Sequence, residues 1–92
     1  MGLHFSWDPA KASSNLRKHG IGFREASTIF GDPLSRTMHD PDHSVGERRY
    51  IIVGMADTGR LLVVSHTDHE DLIRLISARV ATRLERRQYE EG

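Results

Sequence analysis

Apolar and polar residues alternate at the start of the chain, which predicts a short β-strand there. Leu3, Phe5 and Trp7 fall on one face of such a strand, and His4 and Ser6 fall on the other. Alternation with a period of two is typical of a strand that buries one face and exposes the other. We therefore expect the chain to enter the fold as one strand of a sheet.

The next residues carry the signals that begin and end an α-helix. Asp8 is a favoured N-cap residue, and Pro9 suits the first helical position because its missing N–H is not needed there. Lys18 and His19 place positive side chains in the last turn, and Gly20 can adopt the left-handed conformation that ends many helices. A helix between Asp8 and Gly20 is thus predicted.

A second helix is predicted from apolar residues at helical spacing. Phe23, Ala26, Ile29 and Phe30 share one helical face, and the Gly-Asp-Pro sequence of residues 31–33 stops the helix. Since only a short glycine-rich turn separates the two helices, we expect them to form a hairpin.

The central part of the chain predicts strands. Residues 34–39 give a weak strand pattern, and residues 40–47 are expected to form a polar loop. Residues 50–55 and 61–66 are continuous apolar runs, which are typical of strands buried on both faces. An Asp-Thr-Gly sequence lies between these runs and favours a hairpin.

Residues 67–71 predict a polar turn, residues 72–78 a further strand, and residues 81–90 a final helix. A sheet that is apolar on both faces must be covered on both. The expected fold class is therefore α+β, with an N-terminal helical hairpin, a central and mainly antiparallel β-sheet, and a C-terminal helix. With 92 residues, the chain is expected to be a single domain over residues 1–92.

The composition limits the cellular locations and the binding partners that can be expected for this chain. Cysteine is absent, so disulfides and thiolate metal sites are excluded and a cytoplasmic location is expected. No apolar run approaches the roughly 20 residues that span a bilayer, so no membrane association is expected. Thirteen basic and thirteen acidic side chains cancel, but residues 31–73 hold four basic and eight acidic ones, whereas the two ends are basic. The basic ends favour RNA binding, and the acidic middle favours a basic partner.

The end of the chain contains residues suited to phosphodiester cleavage. Cleaving RNA without metal needs a base for the 2′-hydroxyl, an acid for the departing 5′-oxygen, and cations that stabilise the growing charge. Arg79 ends the last predicted strand, and Arg83, Glu85, Arg86 and Tyr89 lie on the helix that follows. Glu85 and Tyr89 are four residues apart, so they share a helix face.

Five segments, spread over nearly the whole chain, resemble the BrnT family, the toxins of bacterial type II toxin-antitoxin pairs. They are residues 5–9 (FSWDP), 15–26 (NLRKHGIGFREA), 31–33 (GDP), 40–49 (DPDHSVGERR) and 73–89 (IRLISARVATRLERRQY). The segments occur in the family's order without a large gap. Arg48 departs from the family pattern, which has glutamate at that position.

This resemblance implies a RelE-like fold and a metal-independent endoribonuclease that cleaves cellular RNA and inhibits translation and growth. It also implies an oligomeric complex with a BrnA-like ribbon-helix-helix antitoxin, which alone contacts operator DNA. No cofactor and no metal are expected. The catalytic residues expected from the chemistry and the resemblance together are Arg79, Glu85, Tyr89, His19 and Arg49, and the RNA-binding residues are Lys18, Arg83 and Arg86.

Two other functions are compatible with the sequence. One is a protein-interaction module without catalysis, whose interface includes Val80, Leu84 and exposed residues of the second helix. The other is a metal-dependent nuclease that holds zinc or manganese through imidazoles and carboxylates. Its ligands would come from two clusters, His39, Asp40, Asp42 and His43 in one and His66, Asp68 and His69 in the other.

Overall fold

The computed structural model describes residues 2–40 and 48–92. The elements in chain order are β1 (His4–Ser6), α1 (Pro9–His19), α2 (Phe23–Ser27), a 3₁₀ turn (Thr28–Gly31), β2 (Arg36–His39), β3 (Arg49–Met55), β4 (Leu61–His69), β5 (Leu72–Val80) and α3 (Arg83–Glu91). Apart from Asp40, the loop predicted over residues 40–47 lies outside the described residues.

The strands form one mixed sheet in the order β1-β5-β4-β3-β2. β1 runs parallel to β5, and every other neighbouring pair is antiparallel. The α+β class and the mainly antiparallel sheet are thus confirmed, while the likeness to RelE stays a prediction. Within the described residues, no helix is long and apolar enough to cross a membrane.

α1 has the ends that the sequence predicted. The Asp8 side chain accepts a hydrogen bond from the backbone N–H two residues later, at 2.8 Å, and Gly20 ends the helix with a φ of 70°. The buried Asn15 side chain bonds the carbonyl of Ile21 at 3.0 Å and both backbone groups of Ala78 at 2.9 and 3.0 Å. These bonds fix α1 to the outer edge of β5, beyond the residues that pair with β1.

α2 is shorter than predicted. The Ser27 and Thr28 hydroxyls donate to the carbonyls of Arg24 and Glu25, each at 2.7 Å. Such bonds from side chain to backbone compete with the helical pattern. The chain therefore tightens into the 3₁₀ turn, and only that turn reaches Gly31.

The prediction of a polar turn over residues 67–71 is wrong. β4 continues to His69, where Thr67 pairs with Arg74 and His69 pairs with Leu72 of β5. The true turn is shorter and includes Glu70 with a φ of 58°. Backbone pairing extends the two strands beyond the hydrophobic core. The side chains there are polar, so a hydrophobicity pattern does not predict this part of the strands.

A β-bulge in β5 decides which side chains reach which face. Two successive residues of β4 pair with Ser77 and Leu75, which leaves Ile76 as the extra residue. A bulge of this kind interrupts the alternation of side chains. Leu75 and Ala78 therefore both enter the same core although they are three residues apart, and Arg79 faces the other side of the sheet.

The two faces of the sheet differ in how they are covered. The face under α1 and α2, here called the helix face, carries the main core, which includes Ile52 and Val64. The opposite face, here called the open face, has a smaller core of Val53, Leu61 and Val63 beside α3. α3 contains no fully buried residue. The cover predicted for the second face is therefore only partial.

Candidate active site

Arg79 and Glu85 form a bidentate ion pair where β5 leads into α3. Two guanidinium nitrogens of Arg79 each donate to one carboxylate oxygen of Glu85 at 2.8 Å. The Thr82 hydroxyl accepts the Glu85 N–H at 3.2 Å, and the Thr82 N–H donates to the Glu85 carboxylate at 2.8 Å. This reciprocal pattern is a capping box, and it places the start of α3 at Arg83, two residues later than predicted. Glu85 therefore fixes both the helix start and the Arg79 side chain.

The ion pair keeps Glu85 ionised. The hydrogen bonds from Arg79 lower the pKa of Glu85 to about 2, against the opposing effect of burial and with help from Thr82. The same bonds to Glu85 raise the pKa of Arg79. A base works best when its pKa lies near the working pH, so Glu85 is a poor base while it is paired. In this state its carboxylate orients the guanidinium.

Tyr89 is held by Asp32, a residue that the sequence marked only as part of a helix stop. The Tyr89 hydroxyl donates to one Asp32 oxygen at 2.5 Å, and the same oxygen accepts the Met55 N–H at 2.7 Å. The other Asp32 oxygen accepts the Leu34 N–H at 2.9 Å. Asp32 thus joins the end of the 3₁₀ turn to β3 and α3. The Gly-Asp-Pro motif was the one available signal, because Met55 and Tyr89 are 23 and 57 residues away.

These bonds also set the protonation of Tyr89. Partial burial works to raise the pKa of Asp32, but the bonds from Tyr89, Met55 and Leu34 outweigh it and leave that pKa below its ordinary value. The hydrogen bond to Asp32, with burial and the negative charge, raises the pKa of Tyr89. Tyr89 therefore carries its proton at neutral pH, and the raised pKa makes it a weaker acid than an ordinary tyrosine.

A cleft of about 650 Å³ opens on the open face between α3 and strands β2 and β3. Its floor is apolar and consists of Met38, Ile51 and Val53. Its polar lining comes from Arg36, Arg79, Glu85, Gln88, Tyr89 and Glu91. Three of the five predicted catalytic residues, Arg79, Glu85 and Tyr89, thus line one cleft.

Four arginines of the sheet share the open face. Arg36 and Arg79 are cross-strand partners of open-face core residues, while Arg49 and Arg74 both pair with Thr67 on that face. No Asp or Glu of strands β2 to β5 lies on the same face. Excess positive charge attracts a phosphate chain. Sequence reasoning singled out Arg49 and Arg79 but missed Arg36 and Arg74, because the face depends on strand register and on the bulge.

The other predicted residues lie elsewhere. Lys18 and His19 line a second cleft of about 250 Å³ between α1 and β5, and no residue lines both clefts. Arg86 forms a long ion pair, at 3.7 Å, with the glutamate one turn later on α3. Arg83 is exposed at the start of α3 and lines neither cleft. The structure therefore separates the two α1 residues from the main cleft.

The predicted metal ligands are not brought together among residues 2–40 and 48–92, where no group of three or more His, Asp or Glu side chains could hold an ion. Asp42 and His43 lie outside those ranges. His66 is only 2% exposed, and its ring packs against Phe30 and Tyr50 with centroid distances of 4.9 and 5.8 Å. Burial lowers the pKa of His66. It is a neutral histidine of the helix-face core.

Comparison with known proteins identifies the family. The sequence profile of the BrnT ribonuclease toxins of type II toxin-antitoxin systems matches residues 7–85. The crystal structure of the ribonuclease toxin BrnT from Brucella abortus is similar, with a TM-score of 0.64 and 19% identity over 88% of this chain and 99% of that chain. At this identity the likeness shows the fold alone. No curated protein gives a significant match. The profile match covers most of the sequence and confirms the family indicated by the five segments, so the chain belongs to the BrnT ribonuclease toxins of type II toxin-antitoxin systems.

Proposed function

We propose that this chain is a metal-independent endoribonuclease that cleaves cellular RNA in the cytoplasm and thereby inhibits translation and growth. The observation that carries the proposal is the convergence of Arg79, Glu85 and Tyr89 on one cleft. A cation, a carboxylate and a phenol are the groups that phosphodiester cleavage without metal needs. Because Lys18 and His19 line a separate cleft, we give them no step in the reaction.

The RNA phosphates bind along the open-face arginines, and the scissile phosphate binds Arg79. A phosphate can replace Glu85 on this guanidinium, because both accept two parallel hydrogen bonds. The exchange removes the contact that holds the pKa of Glu85 at about 2, so that pKa rises toward its ordinary value of 4.5. Substrate binding thereby converts Glu85 from an orienting partner of Arg79 into a stronger base.

Cleavage then needs two proton transfers. Glu85 accepts the proton of the 2′-hydroxyl while the 2′-oxygen bonds to phosphorus and the bond from phosphorus to the 5′-oxygen breaks. Tyr89 gives its phenolic proton to the departing 5′-oxygen, and Arg79 stabilises the charge on the non-bridging oxygens. The products are a 2′,3′-cyclic phosphate and a 5′-hydroxyl, and proton exchange with water restores both side chains.

A type II family has an antitoxin partner, which we propose to be a BrnA-like ribbon-helix-helix protein. The resulting oligomeric complex contacts operator DNA through the antitoxin. Val80 and Leu84 are apolar, 47% and 61% exposed, and directly follow or precede the residues of the Arg79–Glu85 ion pair. Val80 pairs with Leu62 and lies on the helix face, so a partner that buries Val80 and Leu84 would cover the connection between β5 and α3. The same surface would serve a non-catalytic interaction module.

The proposal is tested with purified protein and synthetic RNA, with and without EDTA. We expect cleavage to survive EDTA, and we expect Arg79→Ala to slow it about 100-fold or more, the usual cost of one lost transition-state partner. Arg24→Ala is the control matched in charge, because it removes an exposed arginine from α2 and should leave the rate unchanged. Circular dichroism confirms that each variant is folded.

The other outcomes separate the alternatives. Loss of cleavage on adding EDTA, reversed by zinc or manganese, would favour a metal-dependent nuclease. A wild-type protein that binds its antitoxin but cleaves no RNA would support the interaction module. Full activity of a folded Arg79→Ala variant would show that the cleft is not the active site.

A further inference from the structure

The main cleft has an apolar floor, exposed mainly at Met38, that the proposed chemistry does not use. Met38 and Ile51 are cross-strand partners in β2 and β3, and Val53 lies two residues further along the same face. Met38 is 53% exposed although its side chain is apolar. Phosphate binding requires charge and hydrogen-bond donors, so it does not account for this floor.

The polar lining of the cleft is balanced in charge. Arg36 and Arg79 are offset by Glu85 and Glu91, and Gln88 adds an amide that both donates and accepts hydrogen bonds. The volume of about 650 Å³ lies in the range of small-molecule sites. A flat, uncharged ligand with apolar faces and a polar edge fits this lining better than a phosphate does.

We propose that the cleft is a nucleobase-binding site, which takes one unstacked purine of the RNA. The base lies on the floor formed by Met38 and Val53, and the Gln88 amide and the Arg36 guanidinium bind its edge. An amide side chain can pair with adenine through two hydrogen bonds, and a guanidinium can pair with guanine in the same way. Recognition of RNA sequence commonly uses single-stranded bases that have left the stack. The choice of RNA as the occupant rests on the proposed ribonuclease function.

A peptide segment of a partner protein is the rival occupant. The position of the cleft favours a base, because Arg79 lines the same cavity as Met38 and Gln88. A nucleotide whose phosphate binds Arg79 can therefore reach the floor with its own base. The identity of the base next to the cut should then affect cleavage.

Base recognition is tested by mapping the cleavage positions in a synthetic RNA pool of random sequence. We expect the wild-type protein to prefer purines at one fixed position beside the cut. Gln88→Ala should reduce that preference roughly 5- to 150-fold, the range for one lost bidentate base contact. Arg87→Ala is the matched control, because it removes an exposed neighbour on α3 that does not line the cleft, and it should leave the preference unchanged. An unchanged preference in Gln88→Ala would overturn the proposal.

A second measurement does not depend on cleavage. Met38 and Met55 both lie on the open face, but Met55 does not line the cleft. The protein is labelled at its methionine methyl groups and titrated with a 2′-O-methyl adenosine dinucleotide, which cannot be cleaved through its 2′-oxygen. The ring current of a bound base should shift the methyl signal of Met38 and leave that of Met55 in place. An abasic dinucleotide should shift neither signal.

The two measurements distinguish this proposal from the proposed function. Cleavage without a purine preference, together with an unshifted Met38 signal, would overturn the base site and leave the ribonuclease function intact. A Met38 shift in a wild-type protein that cleaves no RNA would support the base site and contradict the ribonuclease function. A Met38 signal that responds to the antitoxin but not to the dinucleotide would make the cleft a protein-docking site and overturn the proposal.

Discussion

The hydrogen bond between Tyr89 and Asp32 should hold α3 against the open face, and Tyr89→Phe removes this bond while it keeps the ring. The Tyr89 hydroxyl donates to Asp32 at 2.5 Å, and its ring packs on the open-face core around Val53. Since α3 has no fully buried residue, few contacts besides this bond and the Arg79–Glu85 ion pair position it. We therefore expect Tyr89→Phe to loosen α3 more than the rest of the fold.

The expected cost can be worked out from the bonds that each variant loses. A hydrogen bond to a charged group contributes about 1.5 to 3 kcal/mol, and a half-buried site favours the lower end, so Tyr89→Phe should cost about 1.5 kcal/mol. Asp32→Ala also removes the acceptor for the Met55 and Leu34 N–H groups and should cost about 3 kcal/mol. A domain of this length is stable by roughly 5 to 14 kcal/mol, so both variants should stay folded.

Two assays separate the global effect from the local one. Urea denaturation followed by Trp7 fluorescence measures global stability, because Trp7 is the one tryptophan of the chain and packs on Phe23 at 5.9 Å. Hydrogen exchange of the α3 amides measures local opening, and a loss of about 1.4 kcal/mol speeds exchange about tenfold. Tyr50→Phe is the matched control, because the Tyr50 ring stacks on His66 of the helix face and its change should leave α3 exchange unaltered.

A double-mutant cycle shows whether the two side chains act as a pair. If they interact, the Tyr89→Phe and Asp32→Ala double variant should cost less than the sum of the single costs by about 1 kcal/mol. Costs that add to within about 0.3 kcal/mol would refute the reasoning. Unchanged exchange of the α3 amides in Tyr89→Phe would refute it as well.

The separate location of His19 predicts that kcat/KM stays level from about pH 5.5 to 8, and an acidic limb within this range that His19→Asn abolishes would contradict the prediction. Glu85 stabilises the folded chain fully above its ordinary pKa of 4.5, and this contribution is lost as the pH falls toward its folded value of about 2. Urea titrations should therefore show that the difference in free energy of unfolding between wild type and Glu85→Gln shrinks by about 1 kcal/mol in acid. The expected change is small because the Arg79 side chain is 43% exposed. A difference that stays constant with pH would refute the linkage. Arg74→Ala should flatten the slope of log affinity for single-stranded RNA against log salt by about 0.7, whereas Arg24→Ala should not, and an equal slope would place Arg74 outside the RNA path.

Local sequence signals predicted the elements whose ends depend on their own residues. Asp8 and Gly20 cap the two ends of α1 as expected, because a cap acts on backbone groups within a few residues. The spacing of Thr82 and Glu85 is also a local signal, and it would have given the start of α3 correctly. Glu85 and Tyr89 reach the same cleft as their helical spacing suggested.

The rest of the candidate site depends on contacts between distant parts of the chain. Asp32 looked like a helix stop, and its role follows from partners on β3 and α3 that no local pattern connects to it. Arg36 and Arg74 belong to the open face only because of the strand register. His66 resembled a metal ligand in sequence, but the sheet buries its ring beside Phe30. Pairing and burial are set by the whole fold, so the sequence pattern could not resolve these cases.

The bulge at Ile76 makes the chemistry of this protein depend on how many residues precede Arg79, and not only on which residues they are. If β5 kept Ile76 but paired without the bulge, strict alternation from Leu75 would turn Ala78 out of the core and Arg79 into it, whereas deleting Ile76 would leave both on their present faces. A guanidinium buried there without its partner costs several kcal/mol. In evolution, β5 should therefore tolerate the loss of the extra residue more readily than the gain of one between Leu75 and Arg79, which would turn Arg79 away from the open face.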